Sequence, residues 1–263
     1  MRPRDSRARS RYRAPRLAEI IAGTLRERIL SGEIADGDLL PKQEELLEEF
    51  RVSVPSIREA MRILETEGLI RVQRGNVGGA LVQVPRPSNA AYTLGLVLQS
   101  RAASLQDVGQ ALALLGPLCV RLACERPDRA KSVLPALREV HESTLEALDD
   151  PEEFRRRARR FHQVLVDTCG NATLGLMVGA LESLWSAHEA ELAAPRSAEG
   201  EFSTAKLRRS SVREHERLME LIDAGDALRA ERFAATHLAK ATRHTLQFEP
   251  GGALVRAALL RED

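Results

Sequence analysis

Residues 52–70, VSVPSIREAMRILETEGLI, set the tightest limit on what this chain can fold into. Ile57, Ala60, Met61 and Leu64 recur at helical spacing and predict a core-facing side, while Ser56, Arg58, Glu59 and Arg62 fall on the outer side. Ser53 stands at the N-cap position, Pro55 is tolerated in a first turn that needs no backbone donor, and Gly68 supplies the stop. The flanking segments are equally short. Apolar positions 17, 20, 21, 25, 29 and 30 mark a helix ended by Ser31-Gly32, and KQEELLEEF at 42–50 forms another, with Leu46, Leu47 and Phe50 available to a core. After Gly68, Leu69 to Gln73 and Ala80 to Val84 read as two small strands joined by the glycine-rich RGNVGG. Three helices and a hairpin make a winged helix-turn-helix.

In such a motif the second helix of the pair enters the major groove, with residues near its N-terminus reaching bases and phosphates. That placement explains why Arg58 and Arg62 point away from any core. The free N–H groups of the helix start suit a phosphate, and Arg74 at the hairpin tip is placed for the minor groove or backbone. The formal net charge of +1 is silent about nucleic acid, but its distribution is not. The first 16 residues carry seven arginines and one acid, Asp5, whereas residues 17–85 carry eight basic and twelve acidic side chains. Residues 1–16 are therefore expected to be a basic arm, disordered until it meets a polyanion.

At 263 residues the chain is long enough for about two domains. Pro85-Arg-Pro-Ser-Asn89 breaks the pattern and predicts a linker over 86–93, after a DNA-binding domain at 17–85. Beyond it only helices are read, at about 90–101, 104–125, 128–148, 151–169, 172–194, 205–224 and 227–247. The fold class is mainly α, with an all-helical domain at 94–248, a loop at 195–204 and a loosely attached tail at 249–263. Aromatic residues make up only 3% of the chain and Leu, Ala, Glu and Arg crowd it, which favours helices packed on helices. No window holds 18 uncharged apolar residues and the first residues lack the apolar core of a signal peptide, so a cytoplasmic protein is expected. Cys119, Cys124 and Cys169 form no CxxC pair and are expected as free thiols with no redox role.

Three histidines stand apart. His215 and His237 are each eleven residues from Asp226, in the turn between the last two helices. In an antiparallel hairpin they sit at one height, about 16 Å from the turn. His215 shares a face with Leu218, Met219 and Ile222, and His237 with Phe233, Ala234 and Ala241, while His162 lies with Leu165, Val166 and Cys169. Such rings either satisfy a backbone or carboxylate group or bind metal.

These motifs carry a resemblance. Residues 17–85 resemble the DNA-binding domain of the GntR family of bacterial transcription regulators, through L40-P41, V52-S53-x-x-S56-I57-R58-E59-A60, L64-E65-x-E67-G68-L69-I70 and R74-G75. The resemblance implies DNA contact by Ser53, Pro55, Ser56, Arg58, Arg74 and Gly75, and Val54 and the outward-facing Arg62 join the expected DNA-binding set. Two positions depart from the pattern: Glu44 and Val54 stand where relatives usually carry arginine, which implies a different base preference. The helical region is similar to the FadR-type C-terminal ligand-binding domain, in which an Asp-x-x-x-His pair and two later histidines hold a metal. F161-H162 with G170-N171, E214-H215 and T236-H237 match three of those ligands, but the aspartate position is Ala158. The implied site is a divalent metal, zinc or nickel, on His162, His215 and His237, with water or effector completing it. The same three histidines and Arg159 are the expected effector contacts, and Arg155 is a further source of positive charge. Leu112 and Gly116 replace an Arg and a Glu of relatives, which points to a larger apolar ligand.

Taken together, the resemblance implies a regulator, not an enzyme, of the FadR branch. It is expected to bind a near-palindromic DNA operator as a homodimer and to answer to a small-molecule effector. Two alternatives stand beside it. A three-histidine site with an open position also suits a metal-dependent hydrolase, although no HExxH sequence or evident general base is present. The acidic balance of residues 17–85 suits a protein-protein interaction module.

Overall fold

The computed structural model describes residues 17–73, 79–197, 202–249 and 252–260. They fall into two compact units divided between Pro85 and Arg86. The first contains α1 (Leu17–Leu30), α2 (Gln43–Phe50), α3 (Val54–Thr66), β1 (Ile70–Gln73) and β2 (Gly79–Val82). The strands pair antiparallel in the register Ile70 to Val82 through Gln73 to Gly79. The core takes Ile21, Leu25 and Ile29 from α1, Leu46 from α2, Ile57, Ala60 and Leu64 from α3, and Ile70 and Val82 from the hairpin. Each large apolar side chain buried this way contributes roughly 1.5–3 kcal/mol, which is what holds helices too short to persist alone. Arg51 ends α2 in the left-handed region at φ 51, so α3 starts within four residues on a new axis. One pairing escaped the sequence pattern: residues 37–40, read as loop, bond to β2 through Leu40 N to Ala80 O at 2.8 Å and Val82 N to Asp38 O at 2.8 Å. Gly37, Asp38 and Pro41 mask it, because they signal turns.

The second unit contains α4 (Pro87–Ser100), α5 (Leu105–Glu125), α6 (Arg129–Glu146), α7 (Pro151–Asp167), α8 (Ala172–Ser197), α9 (Ala205–Asp223), α10 (Ala227–Leu246) and a 3-10 turn at Ala257–Leu260. All seven helices lie within three residues of the ends read from sequence. Their starts are chemically marked. Ser104 and Asp107 cap α5 reciprocally at 3.1 and 3.0 Å, and Asp150 accepts from the N–H groups of Glu152 and Glu153 at 3.0 Å. The centre is α5, packed along α10 and against α8. It is long and apolar enough by composition to cross a bilayer, and half of that apolar stretch is buried against its neighbours in the bundle, while Leu114 and Leu118 are exposed. Gly225 at φ +71 turns α9 into α10, and brings His215 and His237 to one height as the hairpin spacing predicts.

Two expectations are corrected. The linker expected at 86–93 is mostly helix, because Arg86 and Pro87 form a helix start: proline loses no donor in the first turn, and Asn89 Oδ1 accepts from Arg86 N at 2.8 Å. The tail expected to hang loosely from 249 is docked. Leu105 N donates to Ala253 O at 2.8 Å and Val255 N to Ala103 O at 3.0 Å, Val255 and Ala257 are buried, and the 3-10 turn packs on α4 and α8. The stretch ALVRAALL is too short to show periodicity, so its burial is a tertiary fact.

Candidate functional site

In the first unit α3 presents the outer face the sequence predicts. Arg58 is exposed, and its guanidinium makes no hydrogen bond or ion pair among the described residues. Arg62 is exposed but held by Glu59, with Nε–Oε2 at 3.1 Å and Nη2–Oε1 at 2.9 Å. An exposed i,i+3 pair of this kind is weak and screened by solvent, so a phosphate can displace it at little cost. Ser53 is the N-cap by backbone conformation, but its hydroxyl caps nothing; it faces Ser56 Oγ at 3.2 Å. Val54 is half-buried and Pro55 exposed in the first turn. Part of the acidic surplus is answered elsewhere: Glu67 takes Arg26 at 2.9 and 2.5 Å, and Glu49 pairs with Arg28. Arg74, Gly75 and the arm at 1–16 lie outside the described residues.

In the second unit His162 of α7, His215 of α9 and His237 of α10 converge, with one ligand nitrogen from each lying within 4.8 Å of the others. The ring centroids are 5.1 to 5.3 Å apart. His237 Nδ1 is hydrogen-bonded to Glu214 Oε2 at 2.6 Å, which leaves Nε2 to the cluster, 3.3 Å from His162 Nε2. Two nitrogens about 2.0–2.1 Å from one tetrahedral ion lie about 3.3–3.4 Å apart. His215 is fully buried, stacks on Phe161 at 4.0 Å, and finds no partner for either ring nitrogen among the described residues. Burial first, then His237 and Arg159, pushes His162 down to about 3, and burial holds His215 well below the usual histidine range. Burial thus favours the neutral ring at His162 and at His215, the form that ligates. Glu214 is anchored as a carboxylate by His237, Lys240 and Ser210, and is pulled down to about 2 chiefly by the His237 bond. Ala158 lines the cavity with a methyl group where the resemblance expects a carboxylate.

The cluster borders a cavity of about 200 Å³ enclosed by α5, α7, α8, α9 and α10. Of the arginine run 155–160, Arg155 and Arg159 line it, while Arg156 and Arg157 pair with Glu153, and Arg160 with Asp167, away from the cavity lining. Arg159 is paired with Glu189. Leu112 is buried in the lining, and a Cβ at Gly116 would lie 2.6 Å from Leu238 Cδ1, so a larger side chain there requires Leu238 to shift. Glu182, Glu189, Lys240 and the two arginines line it beside Trp185 and Leu238, so charged groups stand next to the apolar wall that the expected ligand calls for. Sequence reasoning passed over Glu182, although its signal was present: it is the one charged residue in the apolar run 172–185. Burial, with Arg159 opposing, raises its carboxyl to about 7. Cys119, Cys124 and Cys169 are free and buried, as expected.

Residues 17–78 match the model of the bacterial regulatory proteins of the gntR family, and residues 107–240 match that of the FCD domain, which spans half the chain. The chain belongs to the GntR family. It is a transcription regulator with an FCD ligand-binding domain, and this membership excludes the hydrolase alternative. Among its relatives is the HTH-type transcriptional repressor NanR of Klebsiella aerogenes, 29% identical over 232 residues, covering 85% of this chain and 83% of that one. The HTH-type transcriptional regulator Mce2R of Mycobacterium tuberculosis is 29% identical over 219 residues, covering 78% and 82%. Among solved structures, a GntR protein of Streptococcus agalactiae shares the fold at a TM-score of 0.62 and 21% identity, over 86% of this chain and 99% of that one.

Proposed function

We propose that this GntR-family regulator acts in the cytoplasm as a homodimer on a near-palindromic operator, and that a small molecule in the FCD cavity modulates its affinity for DNA. Ser53, Val54, Pro55, Ser56, Arg58 and Arg62 are the reading surface of α3, with Arg74 and Gly75 in the wing. The observation that carries this reading is Arg58: an exposed cation without a partner among the described residues, on a helix whose opposite face is buried in the core. Two such helices related by a two-fold axis call for two half-sites. Mobility shifts with DNA from beside its own gene, at two salt concentrations, test it. Arg58→Ala with Arg74→Ala is expected to abolish specific binding while the fold is kept; unchanged operator affinity refutes the assignment.

His162, His215 and His237 are proposed to hold a divalent metal, with zinc or nickel best suited to three neutral imidazoles. The residues fit the group: His215 offers a buried nitrogen that nothing in the described protein satisfies, and Glu214 fixes the His237 tautomer. When bound, the metal supplies a Lewis-acidic position toward the cavity, where Arg159 and the histidines meet the effector. Elemental analysis of purified protein is expected to show one equivalent of metal, lost in His215→Ala. Full retention by that variant removes His215 from the site.

A further inference from the structure

Residues 252–260 form a strap across α4, α8 and the start of α5, and a titratable ring fastens it at its middle. Beyond the backbone bonds to Ala103 and Leu105, Ala257 N donates to Gln99 Oε1 at 3.0 Å and Arg256 N donates to His188 Nε2 at 2.9 Å. A backbone amide can only donate, so His188 Nε2 is the acceptor and carries no proton. The other ring nitrogen, Nδ1, lies 2.8 Å from Leu184 O, a carbonyl that can only accept, so Nδ1 holds the single proton of the ring. A partner on each side thus fixes His188 as one neutral tautomer. The ring is buried, so water does not readily replace either bond.

We infer that residues 252–260 are an acid-released strap and that His188 is its latch. A proton added at Nε2 turns the acceptor of Arg256 N into a donor, and two N–H groups then face each other where one hydrogen bond stood. The surrounding charges are committed elsewhere. Arg256 of the strap and Glu191, one turn along α8, act on the ring and are paired with each other. Arg159 of α7 is paired with Glu189, and α4 carries no charged residue. In α5, Asp107 caps the first turn, while Arg121 and Glu125 pair near the far end. Burial first of all, with Arg256, lowers the ring's hold on a second proton, against the Leu184 bond and Glu191. The closed strap therefore binds fewer protons at this ring than the released one. The latch is shut above the ordinary histidine value of 6.5 and opens as pH falls through the ring's lowered one. Release uncovers α4, the helix by which the chain enters the second unit, where a Cβ at Gly95 would lie 3.3 Å from Ala257 Cα.

Two measurements on the full-length protein test the latch. Nitrogen-15 NMR of the histidine rings is expected to find His188 as the Nδ1–H tautomer at neutral pH. Hydrogen exchange, read by mass spectrometry on peptides from 252–260 and corrected for the intrinsic effect of pH, is expected to show opening of the strap rising about tenfold between about pH 7.5 and about pH 5. His188→Gln offers an amide oxygen where Nε2 stood and cannot titrate. In that variant the corrected exchange of 252–260 is expected to be equal at the two pH values. An Nε2–H tautomer in the parent, corrected exchange that does not respond to acid, or a response of the same size in His188→Gln overturns the inference. The Gln variant also separates the latch from acid loosening of the bundle through its other histidines, because those rings are unchanged in it.

Discussion

At the residue scale, Glu182 gives the site a measurable pH signature. Its carboxyl is raised from an ordinary 4.5 to about 7, first by burial and next against the opposing Arg159, with Glu189 adding to the rise. Between those values the folded chain binds more protons than the unfolded one, so this group's contribution to stability falls as pH rises through the window. Glu182→Gln removes the penalty of a buried charge. The variant is expected to be more stable than the parent by about 2 kcal/mol at pH 8, with the gap closing towards pH 4.5; urea unfolding at both pH values, without ligand, reads it. A gap that widens on acidification contradicts the assignment. At His215, two ring nitrogens with no partner among the described residues are a cost in the metal-free chain, and the placement of His162 and His237 beside it is what gives that cost a use.

At the scale of elements, the cavity depends on how closely α5 approaches α10 and α8. Gly109 and Gly116 lie seven residues apart on one face of α5, where helices repeat. A Cβ at Gly109 would sit 2.4 Å from Thr242 Cγ2 and 2.8 Å from Trp185 Cζ3, and neither a β-branched methyl nor an indole ring yields easily. Alanine is worth about 1 kcal/mol more than glycine in a helix, yet Gly109→Ala is expected to lower stability by about 1–2 kcal/mol, because overpacking outweighs propensity here. Chemical unfolding checks the sign, and a stabilised variant would show that the contact relaxes. The docked residues 252–260 are a second such device. Removing 252–263 strips the acceptor from Leu105 N and uncovers the groove that holds Val255 and Ala257. Hydrogen exchange is expected to accelerate in α4 and in the first turn of α5, and to stay at the parent's rate in α6 and α9.

At the scale of the whole molecule, charge is arranged by segment. The arm at 1–16 carries nearly all the uncompensated positive charge, ahead of a domain that is acidic in sum. Neutralising phosphates releases counterions, so each arginine that reaches the backbone steepens the salt dependence of binding. Deleting residues 2–16 is expected to weaken binding to all DNA sequences alike and to flatten the plot of log affinity against log salt. An unchanged slope would take the arm out of DNA binding and leave Arg58 and its neighbours on α3 to carry affinity as well as sequence preference.

Much of this was legible in the sequence, because it follows from local rules. Periodicity placed every helix from α4 to α10, and the V52 to I70 stretch fixed a helix with an apolar and a cationic side. The count of eleven residues on either side of Asp226 brought His215 and His237 to one height, since helical rise is constant. Where local signals conflicted with burial, the reading went astray. Pro87 and Asn89 resemble a linker until a helix start uses them, and ALVRAALL resembles a frayed end until α4 and α8 cover it. The sequence by itself determined which segments are helical and which three rings can meet. That Arg159 meets Glu189, while Arg155 Nε and Nη1 meet no acceptor among the described residues, was left to the tertiary fold, because pairing depends on distances between α7, α8 and α10 that no spacing along the chain encodes.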